Sequence, residues 1–217
     1  MLRSIFIIFI SYWIAVPLSY QIRKVVRGDL VLQIARIIAV DVPFLIVYFI
    51  FDFPRVDNYN LSLGVIISLI FALCYILLDW KNISYANNIA VFPFLKKPKR
   101  YQLYSRFGEI TIVPIIEELF FRGTIPINGD IVETLVIFIF SGLLFSFAHY
   151  IEESRELQTN LKLWVLSLFS FIIYFITKNI IFSIIFHVIC NIPWFISNYR
   201  LYKYNIRRES LKYVRQK

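Results

Sequence analysis

The chain has 217 residues, of which 59% are hydrophobic, 18% aromatic and 17% charged, and its mean hydropathy is +0.69. Soluble domains are usually about 45–50% apolar and about 25% charged, and here the excess runs the whole length in blocks of membrane-spanning size, which excludes a soluble domain with one anchor. The net charge of +9 would suit nucleic acid, but the cations sit between apolar blocks and near the C-terminus, so membrane lipid is the expected partner and nucleic acid is not.

In chain order, apolar blocks are predicted to span near residues 4–20, 30–51, 61–79, 108–122, 131–149, 161–177 and 180–198. About 20 residues cross the hydrocarbon core, and the first, fourth, sixth and seventh of these blocks are a little short. The first follows Arg3 and is not followed by a small-residue cleavage site, so it reads as a retained span. The second carries Arg36 and Asp41, the latter just ahead of Pro43. Arg36 can snorkel to the surface, and Asp41 is expected to support the fold by pairing with Arg36 or Arg122. Cys74 and Cys190 lie singly in apolar runs and form no disulfide framework.

The loops set an expected orientation. Arg23, Lys24 and Arg27 follow the first span. Lys81, Lys96, Lys97, Lys99, Arg100 and Arg106 lie in the segment 81–107, which reads as an interfacial aromatic stretch and a basic loop. A basic tail, 199–217, carries Arg200, Lys203, Arg207, Arg208, Lys212, Arg215 and Lys217. With seven spans these three regions share one side. Residues 52–60, 123–130 and a tight turn near Lys178 share the other and are poor in cations. The positive-inside rule then places the N-terminus outside and the tail in the cytoplasm. The acidic loop 150–160 falls on the cytoplasmic side, where acidic residues weigh little. The expectation is an all-α, polytopic transmembrane helical bundle, one integral membrane domain over residues 1–217.

Polar groups at membrane depth are costly and carry the functional signal. Glu118 and Arg122 are i,i+4 neighbours with the acid first, the favourable order for an ion pair. Glu117 is turned about 100° from Glu118, so its carboxylate faces a different neighbour. The spacing predicts one structural carboxylate and one chemical one, with Glu117 the candidate general base. Phe145 and His149 are i,i+4 on the fifth span, where the aromatic can pack on the same helix face as the imidazole. His187 and Asn191 are i,i+4 on the seventh, two donors able to meet a developing oxyanion. Taken singly, each group also fits a salt-bridged network, an interfacial histidine or interhelical hydrogen bonding. Together they allow a site between the fourth, fifth and seventh spans.

The three motifs, "EELFFR" (117–122), "FSFAH" (145–149) and "HVICN" (187–191), resemble in this order the CPBP or Abi family of membrane proteins. That family includes type II CAAX prenyl endopeptidases and bacteriocin-processing proteases. The resemblance covers residues 108–195, the expected catalytic core, and implies an intramembrane endopeptidase of about eight spans. It implies Glu117 as general base, His149 holding and activating water, His187 and Asn191 as oxyanion donors, and Glu118, Arg122 and Phe145 as support. The substrate would be a peptide or protein, such as a bacteriocin or signalling-peptide precursor. No cofactor is expected. Zinc is the chemical alternative, with Glu117, His149 and His187 as ligands, but the chain lacks HExxH spacing, and Asn191 suits an oxyanion donor better. The rival functions are a non-enzymatic immunity or scaffold protein of the same family and a transporter. Against a transporter, the chain has no repeated half or glycine-broken helix pair. The sequence leaves the oligomeric state open.

Overall fold

The computed structural model describes residues 2–25, 31, 44–45, 48, 54–125, 127, 130–152 and 157–215. Most of the second predicted span, with Arg36 and Asp41, lies outside the described residues. Within them the chain is helical: α1 Leu2–Val25, α2 Leu61–Leu78, α3 Trp80–Ala86, a 3-10 turn at Phe92–Phe94, α4 Arg100–Phe121, α5 Ile131–Glu152, α6 Leu157–Thr177 and α7 Ile180–Arg215. The expected all-α helical bundle is what forms. Among the described residues α2, α6 and the stretch Ile180–Leu211 of α7 are long and apolar enough to cross a membrane, and the apolar part of α5, Ile131–Phe147, is shorter.

Several helix ends follow from short-range chemistry. The Asn60 side chain accepts the Leu63 amide at 3.0 Å and starts α2. Asp130 does the same for α5 through Val132, at 3.3 Å. Two elements extend beyond the predicted apolar blocks. α4 begins at Arg100 rather than near residue 108, because Gln102 reaches back to the Lys99 amide at 2.8 Å while Lys99 O accepts the Gln102 amide at 3.0 Å. The segment 81–107, expected as loop, therefore contributes α3, the 3-10 turn and the first turns of α4. The basic tail is continuous with the last span, since α7 runs on to Arg215. Its Arg and Lys residues are good helix formers, and Leu201 remains buried along it.

The packing is tight between α4 and α7, α2 and α7, and α5 and α6. Gly64 and Ser68 let α2 approach α7 closely: Ser68 Oγ lies 2.9 Å from both Gly64 O and Phe182 O. Phe138 of α5 stacks on Phe171 of α6 with centroids 4.1 Å apart.

The connections gather at two ends. At one, Lys178 takes a positive φ of 52° in the tight turn between α6 and α7. Its amide carbonyl accepts from Asp57 at 3.2 Å, its Nζ donates to Ile127 O at 3.1 Å, and Asn179 Nδ2 donates to Asp57 O at 2.9 Å. At the other, Ser197 Oγ donates to Ala86 O at 2.6 Å, Arg200 donates to Asn87 at 3.1 Å, and Lys97 pairs with Glu209. The cation-poor connections thus meet one another, and the basic segment meets the basic end of α7.

Candidate active site

The site begins where α4 ends inside the bundle. A helix end leaves its last carbonyls without intrahelical partners, which is costly away from water. Here each is supplied. Glu118 O accepts the Arg122 and Gly123 amides at 3.0 Å, and Leu119 O accepts the Tyr48 hydroxyl. Phe120 O accepts Thr124 Oγ1 at 2.7 Å, Phe121 O accepts Ser141 Oγ of α5 at 2.5 Å, and Arg122 O accepts the Ile125 amide at 2.9 Å. This collar fixes the last turn of α4, the turn that carries the charged groups. Prolines stand beside the site on both facing helices, Pro114 in α4 and Pro193 in α7. Neither can donate to the carbonyl one turn back, so the backbone ladder is open there.

Glu118 is fully buried, and Arg122 is 1% exposed. Arg122 Nε lies 3.4 Å from Glu118 Oε2, and the guanidinium carbon sits 4.6 Å from the centre of the Phe145 ring. None of the three guanidinium nitrogens makes a hydrogen bond among the described residues. The arginine is therefore held by charge and by the aromatic face, which is worth about 2 kcal/mol or more when desolvated. Glu118 is held from two further helices. Ser170 Oγ of α6 donates to Oε2, and His187 Nδ1 of α7 lies 2.7 Å from Oε1. An ionised carboxylate only accepts, so the proton of that last bond is on Nδ1. Ser183, one turn before His187, donates to Ser170 O at 2.8 Å and ties α7 to α6 behind the site.

Glu117 stands differently. Its side chain is 14% exposed, against 0% for Glu118. Its Oε2 lies 3.7 Å from His187 Nε2. His187 thus spans the two adjacent glutamates, bonded to Glu118 through one nitrogen and facing Glu117 with the other. Asn191 is half-buried one turn further along α7. Phe145 is fully buried, with its ring 6.1 Å from that of His187 and nearly perpendicular to it. Its ring also meets Phe121 edge to face at 5.2 Å, so it packs on Phe121, Arg122 and His187. His149 lies on α5, and its side chain is outside the described set.

The structure brings Glu117, Glu118, Arg122, Phe145 and His187 together and adds Ser170, which spacing did not single out. The available signal was a serine pair, Ser167 and Ser170, on the buried face of an apolar helix. Among the described residues no three metal-ligating side chains cluster. The zinc alternative needs His149 beside Glu117 and His187, and the His149 side chain lies outside the described residues.

Residues 100–193 match a family model described as Type II CAAX prenyl endopeptidase Rce1-like. Comparison with curated proteins and with solved structures gives no match. The matched segment, a little under half of the chain, carries Glu117, Glu118, Arg122, Phe145, Ser170, His187 and Asn191, and in it the chain is similar to the CAAX protease, or CPBP, family of membrane proteins.

Proposed function

We propose that the protein is a multi-pass intramembrane endopeptidase that hydrolyses a peptide bond with water activated by Glu117. The observation that carries this reading is the unequal setting of two neighbouring carboxylates. Glu118 is fully buried and engaged by Arg122, Ser170 and His187, whereas Glu117 keeps partial exposure and faces the second imidazole nitrogen at 3.7 Å. In the reaction, water attacks the scissile carbonyl carbon and its proton passes to Glu117. The carbonyl oxygen becomes an oxyanion, met by the Asn191 amide and by His187 Nε2. Donation from Nε2 requires a ring carrying both protons, because Nδ1–H is committed to Glu118. The tetrahedral intermediate then collapses, and the proton on Glu117 goes to the departing amine. His149 is assigned to hold the attacking water.

The substrate is a peptide or protein that reaches the membrane, with a bacteriocin or signalling-peptide precursor as the proposed class. The N-terminus is assigned outside and the C-terminus to the cytoplasm, supported by the meeting of the basic segment 81–107 with the basic end of α7. The deciding experiment is cleavage of a membrane-tethered peptide library by protein in nanodiscs. Glu117→Gln is expected to lower the rate by about 10²–10⁴ while leaving thermal stability in place, and a strong chelator is expected to leave the rate unchanged. Full activity of Glu117→Gln would overturn the mechanism. A chelator-sensitive rate restored by zinc would transfer the water to a metal.

A further inference from the structure

At the basic end of the bundle, the segment after α3, the first turns of α4 and the middle of α7 enclose a cavity of about 140 Å³. Lys96, Lys97, Gln102, Arg106 and Asn198 line it. All of these polar side chains can donate hydrogen bonds, and three are cations. Two acids stand nearby: Glu209 pairs with Lys97, and Glu109 pairs with Arg106 at 2.6 Å. They pair with two of the three lining cations, so the lining keeps a net positive charge. A pocket lined by donors and cations is built for a compact anion bearing several acceptor oxygens.

A second feature says what that anion is attached to. The 3-10 turn beside the cavity presents Phe94 at 86% exposure, with Leu95 next to it at 39%. Tyr104 and Phe107 on α4 are exposed at 65% and 56%. Exposed aromatics beside cations mark the level where headgroups meet acyl chains. The depth agrees. From Arg106 to Glu117 along α4 is about 16 Å of helix rise, close to half of a hydrocarbon core about 30 Å thick. Arg106 at the headgroups therefore puts the catalytic carboxylate near the middle of the membrane.

We propose that this cavity binds the phosphate of an anionic phospholipid headgroup, with Phe94 and Leu95 seated in the adjoining acyl layer. The site is separate from the groups assigned to peptide hydrolysis, and the proposal stands whether or not that assignment holds. It is tested on full-length protein in detergent micelles, titrated with dioctanoyl phosphatidylglycerol, dioctanoyl phosphatidylcholine or inorganic phosphate, with bound lipid counted by native mass spectrometry. Phosphatidylglycerol is expected to bind at least tenfold more tightly than phosphatidylcholine, and inorganic phosphate at least tenfold more weakly than phosphatidylglycerol. Lys96→Ala/Arg106→Ala, at two exposed positions, is expected to abolish the preference between the lipids. Phe94→Ser is expected to weaken both lipids while leaving phosphate unaffected. Equal binding of the two lipids, or an unchanged preference in the double variant, would overturn the headgroup site. Phosphate binding as tight as phosphatidylglycerol would make it a site for a soluble anion and overturn the lipid assignment.

Discussion

Glu118→Gln keeps the size and shape of the side chain and removes its charge. Glu118 is fully buried, and its nearest cation, Arg122, is 1% exposed with Nε at 3.4 Å. Removing one member of a buried pair leaves the other charge uncompensated and costs about 3–5 kcal/mol. The Phe145 face, 4.6 Å from the guanidinium carbon, remains to stabilise Arg122, so the lower end applies, about 3 kcal/mol. For a chain of this size each kcal/mol moves the midpoint by about 2–4 °C, giving a drop of about 6–12 °C. The protein supplies its own probe. Cys190 is 2% exposed and lies on α7 beside Asn191, so a thiol-reactive dye reports the opening of this core in a Cys74→Ser background. Adding Arg122→Leu removes the orphaned charge and is expected to recover more than half of the loss. A midpoint within about 2 °C of the parent for Glu118→Gln, or losses that simply add in the double variant, would refute the view that these two groups neutralise each other.

Three other outcomes follow from the geometry. Ser170→Ala removes a hydrogen bond to an ionised carboxylate, and a cost of about 1.5–3 kcal/mol is expected by the same dye assay, with Ser170→Thr restoring it in part. Asn191→Leu should lower kcat by about 10²–10³ with little change in KM, as for loss of an oxyanion donor; a change confined to KM in single-turnover assays would remove Asn191 from that role. Gly64→Ala places a methyl inside the Phe182 ring, so about 1–3 kcal/mol should be lost. Phe182→Leu in the same chain should return most of it, which a comparison of melting midpoints will show.

The helices and their intervals were legible because apolar block length and i,i+4 spacing are properties of one helix at a time. The pairing of Glu118 with Arg122 lies within a single turn and was readable for that reason. Ser170 was not, because its role depends on how α6 is rotated against α4, and a single sequence carries no such rotation. Phe145 makes the same point. Its ring packs on Arg122, just past the end of α4, and on His187 of α7, contacts that no spacing within α5 shows. The start of α4 and the extension of α7 were hidden for another reason. Both lie in polar sequence, where hydropathy is silent and capping by Gln102 or the helix propensity of Lys and Arg decides.

Two carboxylates in sequence are an economical way to obtain a buried acid and an accessible one from the same turn. Neighbours on a helix diverge by about 100°, so when Glu118 points into the junction of α4, α6 and α7, Glu117 reaches His187 only at its far nitrogen. Glu118 and Arg122 cancel in formal charge. What is left is Glu117 and His187, with Oε2 and Nε2 3.7 Å apart. Without a shared proton the set carries one net negative charge; with one proton between the pair it is neutral, the state least costly to hold away from water. In the proposed reaction that economy has a use. Glu117 must accept a proton from water while Nε2 must offer one to the oxyanion, and a carboxylate and an imidazole set side by side can hold those two roles at once. Moving the acid one position, by exchanging residues 117 and 118 for Gln and Glu in turn, separates charge from placement. Glu117→Gln is expected to melt like the parent and fail to cleave, and Glu118→Gln to melt early. If the two variants lose stability equally, the division between the carboxylates is wrong.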